Sequence, residues 1–194
     1  MFTTQRVRIV ALGAGLMLGL GGCALLEPAG SDEPLTAIES CALGNTWSLD
    51  VADLATQVQA EQGTQGRNTE VVGDGSQTLA WDLNGDVELT SDYTLKATWT
   101  PAEGQVNVVT ETHSGTSTGV AYISGEVAIP RDWDGSGLTV SSTATLNDAP
   151  LDPPPFALGV ADIDDSVGLE LTCDGTTMTI HPRGGVYTQK WTKN

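Results

Sequence analysis

Basic side chains are scarce in this chain: 8 Lys and Arg stand against 25 Asp and Glu, for a formal charge of −17 and a pI of about 4.1. Phosphate backbones are held by basic surfaces, so nucleic acid is excluded as a partner, and anionic lipid headgroups are disfavoured on the same ground. Histidine and cysteine are also few. His113 and His181 have no ligand-like spacing with Cys23, Cys41 or Cys173, so no transition-metal site is expected. The sharp-turn Gly-x-Ser-x-Gly of serine hydrolases and the glycine-rich phosphate cradle are both missing, and paired carboxylates discriminate nothing in so acidic a chain. A non-enzymatic protein without a cofactor is expected. No apolar run reaches the ~20 residues that a membrane-spanning helix needs, and no internal repeat of fixed period is present. What the 194 residues do carry is 39% hydrophobic side chains, enough for one domain with a sizeable core, and acidic residues spread along the chain rather than gathered in a tail.

The first residues stand apart. Arg6 and Arg8 precede an apolar run from Ile9 to Leu20, which ends in Leu20-Gly21-Gly22-Cys23. As a helix this run rises only ~18 Å, against a hydrocarbon core of roughly 30 Å, so it reads as an export signal over residues 1–22. Leu20 to Cys23 resembles the lipobox of bacterial lipoproteins, a Leu, two small residues and a Cys at the cleavage point. That resemblance implies a Cys23 carrying a diacylglyceryl group as the first residue of the mature chain. Acyl chains contribute about 0.8 kcal/mol per buried methylene, so two of them anchor a protein stably where one does not. Loss of Arg6 and Arg8 leaves 6 basic against 25 acidic side chains, or −19, which repels the protein from the bilayer that anchors it. Residues 23–40, with Pro28, Gly30 and Pro34 and no apolar periodicity, read as a lipidated flexible tether, and a domain is expected over residues 41–194.

If Cys23 is acylated, Cys41 and Cys173 remain as an even pair in an oxidising compartment, and a disulfide between them is expected, with two buried free thiols as the alternative. A loop of that length would stabilise the fold by about 4 to 5 kcal/mol in the chain-entropy model.

Strand signals dominate the body of the domain. From Val87 to Trp99, the residues Val87, Leu89, Tyr93, Leu95, Ala97 and Trp99 share one face, and Glu88, Thr90, Asp92, Thr94, Lys96 and Thr98 the other. Leu79, Trp81 and Leu83 alternate ahead of Asn84-Gly85, a strong hairpin signal. Further strands are predicted over 44–50, 105–113, 118–129 with a break at Gly125, 138–146, 167–173, 178–181 and 186–191. Val51, Leu54, Ala55 and Val58 lie at one-face helical spacing. Residues 63–76 and 148–166 read as irregular, the second because Pro153-Pro154-Pro155 cannot donate to a ladder. That second segment is either a lid with Phe156 turned inward or a solvated connector. Together these elements predict an all-β fold, an antiparallel β-barrel of about 8–9 strands with one short helix after the first, or alternatively a β-sandwich.

Asp82-x-Asn84-Gly85-Asp86 starts like a calcium loop, but Val87 and Tyr93 occupy its sixth and twelfth positions, so a hairpin explains it better. Asp132-x-Asp134 and Asp162-x-Asp164-Asp165 read as acidic loops.

Cys41-Ala42-Leu43-Gly44-Asn45-Thr46-Trp47 and Leu171 to Met178 resemble the two ends of lipocalin-like domains in secreted lipoproteins of high-GC Gram-positive bacteria. In lipocalins a Gly-x-Trp places the Trp across the closed end of the barrel, with a basic residue over it. By that likeness the Trp is Trp47, one residue late, and the base is Arg183 or Lys190. The resemblance implies a lipid-anchored envelope protein on the outer face of the cytoplasmic membrane. The inward set Leu79, Trp81, Leu89, Tyr93, Leu95 and Trp99 then either lines a hollow that holds a small apolar ligand or simply fills the barrel. In the second case the acidic exterior would serve as an interaction surface for a cationic protein partner.

Overall fold

Period-two alternation makes each strand two-faced, and a two-faced strand is stable once its apolar face is covered. The computed structural model describes residues 34–160, 163 and 165–194; the signal segment, Cys23, residues 24–33 of the tether, Asp162 and Asp164 lie outside the described residues. The elements in chain order are α1 (Ala37–Ala42), β1 (Asn45–Leu49), α2 (Val51–Thr64), β2 (Thr69–Trp81), β3 (Asp86–Trp99), β4 (Asn107–Ser124), β5 (Val127–Asp134), β6 (Leu138–Leu146), β7 (Ala149–Leu151), β8 (Leu169–Cys173), β9 (Thr177–Pro182) and β10 (Gln189–Lys193).

Eight of the strands close a ring in the order β3-β2-β1-β10-β9-β8-β5-β4, sealed by β4 pairing back onto β3. Every pairing is antiparallel. The ring decides for the barrel over the sandwich. β6 and β7 lie outside it, because the first half of the long strand β4 pairs with β6 and only its second half with β5. The β2–β3 hairpin turns where Asn84-Gly85 predicts it: the Asp82 carboxylate accepts the Asn84 and Asp86 N–H groups at 2.7 and 2.9 Å, and Gly85 takes φ +94°.

Three departures from the sequence reading have physical causes. β2 starts at Thr69, inside the segment expected to be irregular, because its glycines serve close packing rather than turning. A Cβ on Gly73 would fall 2.6 Å from the Val51 carbonyl oxygen, so the bare backbone is what lets α2 lie on this strand. β4 runs unbroken through Ser114-Gly115-Thr116-Ser117, where apolar alternation lapses, because β3 pairs with it throughout. And α1 straddles the expected boundary between tether and domain, started by a capping box in which Thr36 and Glu39 bond reciprocally to each other's backbone N–H.

Gly115 sits where β4 changes neighbours from β6 to β5. Its φ is +107°, and a Cβ there would fall 2.1 Å from the Gly137 carbonyl oxygen. Gly115→Ala is expected to cost at least about 2 kcal/mol and to lower Tm by several degrees in thermal unfolding; an unchanged Tm would show that the crossing has room.

Cys41 and Cys173 form the disulfide, tying the end of α1 to the end of β8 across 132 positions of chain.

Candidate functional site

The two ends of the barrel differ. On one side β2, β3, β4 and β6 stand as a tall wall, and the short strands opposite leave a gap that other segments cover. α2 starts at Asp50, whose carboxylate caps the Asp53 N–H at 2.9 Å, and buries Leu54, Val58 and Gln62. Gln57 exchanges two hydrogen bonds with the Thr188 backbone, donating to its oxygen at 2.7 Å and accepting its N–H at 2.9 Å. The Val71 N–H donates to Gln59 at 3.0 Å, which ties the helix to β2 as well. Phe156 turns inward, as the lid reading expects. Its ring meets Trp99 edge-on at 6.0 Å and lies under the Arg67 guanidinium at 5.0 Å. Tyr187 completes the cover by donating to the Leu158 carbonyl at 2.7 Å. Burial, then the Glu61 and Glu111 carboxylates, push the Tyr187 hydroxyl above its ordinary range, so it keeps the proton that this bond requires.

Beneath the cover the barrel interior is packed. Leu79, Trp81, Leu89, Tyr93 and Leu95 are each 3% exposed or less and share one cluster with Trp47, Trp191, Leu171, Met178 and Ile180; Trp99 is half-buried at the rim. The cavities described lie elsewhere. Two, of about 500 and 450 Å³, are depressions around the β2–β3 hairpin, and a third, of about 360 Å³, lies beside Glu170 and Arg183. One of about 150 Å³ sits under the cover between Leu54, Val160, Pro182 and Tyr187.

Sequence reasoning missed a polar group within the wall. Gln77 donates to Ser91 at 2.8 Å, and His113 Nε2 lies 2.9 Å from the Glu111 carboxylate with Tyr93 stacked on its ring at 4.5 Å. The signal was the odd-numbered face of β4, where Asn107, Val109, Glu111, His113 and Ser117 alternate inward like the apolar face of β3. His113 is fully buried and Glu111 is 6% exposed, which makes the pair an internal hydrogen-bonded element rather than a group within reach of a substrate.

Trp47 is fully buried, its indole N–H donating to the Ala42 carbonyl at 3.2 Å. Arg183 and Lys190, the expected bases over it, point outward instead, to Glu170 at 3.3 Å and Asp50 at 4.0 Å. Lys190 alternates with inward Gln189 and Trp191 on β10, and Arg183 is in the exposed turn just after β9.

Among the described residues no group of His, Cys, Asp and Glu is arranged to hold a metal ion, and no helix is long and apolar enough to cross a membrane. The acidic side chains crowd the outer surface: Glu70, Asp74, Glu88, Asp92, Glu126, Asp134 and Asp152 are all exposed. No family model, no curated protein and no solved structure matches this chain.

Proposed function

We propose that this is a non-enzymatic bacterial lipoprotein, held by acylated Cys23 on the outer face of the cytoplasmic membrane, that uses a filled barrel as a rigid support for an acidic surface recognising a cationic partner. The observation that carries this reading is the packed interior: residues that would line a ligand cavity belong instead to one buried core cluster, while the exterior carries exposed carboxylates. The lipobox residues Leu20-Gly21-Gly22-Cys23 support the anchor, and the disulfide fits an oxidising compartment.

Cys23→Ser is expected to move the protein from the membrane to the soluble fraction or to leave the precursor unprocessed; normal mature membrane fractionation would remove the anchor from the proposal. For the partner, the detergent-solubilised full chain should bind polylysine with an affinity that falls steeply between low and physiological salt. Binding insensitive to salt, or none, would remove the acidic recognition surface.

The cavity of about 150 Å³ beneath the cover favours a second reading, a small apolar ligand held between α2 and Tyr187. It is below the usual range of about 300–1,000 Å³ for ligand pockets. Native mass spectrometry of protein purified from its host decides between the two, a copurifying small molecule supporting the second.

A further inference from the structure

β6 is a strand with one side unused. It pairs with β4 over 138–146, but on its other side β7 covers only residues 144–146. Residues 139–143 are all exposed, including Val140 at 45%. The direction of their backbone groups follows from two bonds that flank the β4–β6 ladder in the same register, from the Asn147 N–H to Val106 O at 2.8 Å and from the Thr116 N–H to Gly137 O at 3.2 Å. Odd-numbered residues of this segment therefore turn their backbone toward β4, and even-numbered ones turn away from it. The β7 pairing agrees: Pro150, which has no N–H, lies opposite odd-numbered Thr145. Val140 and Ser142 thus present their N–H and C=O groups to an open edge.

Edge strands are ordinarily protected by charge, proline or a bulge, and Thr139 to Thr143 has none of these. Its ends are charged. Asp132 and Asp134 are exposed beside the turn into β6, and hydrogen bonds from Ser136 hold the Asp134 carboxyl below the usual carboxylate range. At the other end β7 leaves the sheet at exposed Asp152, one residue beyond the Ala144–Leu151 pair, with exposed Asp148 in the adjoining turn. The five open residues span roughly 17 Å. Two cations lie near: Arg131 of β5, opposite Val120 of β4, and exposed Lys96 of β3, in register with Thr143 across Thr110 and so on the far side of β4 from the open edge.

We infer that the 139–143 edge of β6 accepts an extended cationic peptide segment as an added strand. The segment has basic residues at its two ends, facing Asp134 and Asp152, and an uncharged β-forming stretch between. Main-chain bonds to Val140 and Ser142 supply the docking, and the terminal carboxylates supply the sign selection. A second copy of this chain fits less well, since antiparallel self-pairing would bring the Asp134 end of one copy against the Asp152 end of the other, like charge to like. This inference rests on the acidic-surface reading and specifies where and how the partner binds.

The probe is a short synthetic peptide of alternating Val and Thr with Lys at each end, added to the full chain in detergent. It is expected to bind and to slow hydrogen exchange in the fragment covering 139–143. A peptide of the same charge with Pro at alternate positions is expected to lose binding. So is the variant Ser142→Pro, whose lost N–H faces the open edge and not the β4 ladder; circular dichroism checks that it folds. Equal binding of the Pro peptide, or unchanged binding by a folded Ser142→Pro chain, would overturn strand addition and leave the acidic surface standing. Binding of polylysine but not of the Lys-ended peptide would do the same. Failure of both cationic probes would overturn the inference and the acidic-surface reading together. A peptide-free dimer that protects 139–143 would assign the edge to a second copy and overturn the cationic occupant.

Discussion

Loss of the Cys41–Cys173 bridge is expected to lower the folding free energy by about 4 to 5 kcal/mol while leaving the folded architecture in place. The two halves of that statement have different origins. The bridge spans 132 positions, so in the chain-entropy model its removal frees a very large loop in the unfolded chain. Ring closure does not depend on it, because β1 is already paired with β2 and β10, and β4 with β3. The bridge adds a tie from α1 to the end of β8 on top of a complete hydrogen-bonded ring. Chemical unfolding of a Cys41→Ala/Cys173→Ala chain should therefore show a much lower midpoint, with a far-ultraviolet spectrum unchanged at zero denaturant. An equal midpoint would mean that the unfolded chain is already compact enough to hold these residues near each other, and a lost native spectrum would mean that the bridge is needed to form the ring.

Trp47→Ala is expected to cost about 3 to 5 kcal/mol, and Trp47→Phe much less. Trp47 is fully buried on β1, pairs across to Leu79 and Lys193, and belongs to the same core as Trp191. Truncation removes a large apolar volume where the closed wall leaves little freedom to collapse. Phe keeps most of that volume but leaves the Ala42 carbonyl without its indole donor, a loss of about 1 kcal/mol. Ala42 is in the last turn of α1, so the Phe variant should also loosen that helix, visible as faster hydrogen exchange over 37–43 than over β1. An alanine variant within about 1 kcal/mol of the parent would contradict the packed interior on which the proposed function depends.

Particular residues show how legible the fold was. Val87 to Trp99 forms β3 almost to its ends, and Leu138 to Leu146 forms β6 to the residue, because one wet and one dry face leave a period-two mark. Cys41 and Cys173 were legible as the even pair that remains when Cys23 is set aside for its lipobox resemblance. Thr36 and Glu39 held a readable capping-box signal for α1 that proline-rich surroundings obscured. Gly73 and Gly75 concealed the first half of β2, since a glycine that admits a helix and a glycine that makes a turn look alike in one dimension. His113 and Glu111 were hidden because their burial depends on β3 and the cover, which are remote in sequence.

Local pattern by itself thus determined an all-β chain, its main hairpin, the helix after the first strand and the acidic exterior, because each is set by neighbours within a few residues. Tertiary structure alone decided that β4 closes the ring on β3, that the inward side chains fill the barrel, and that β6 stays outside with an open edge. The reason is length: β4 has 18 residues, more than β5 can cover, and which partner takes the excess is a competition between distant segments that no local period records.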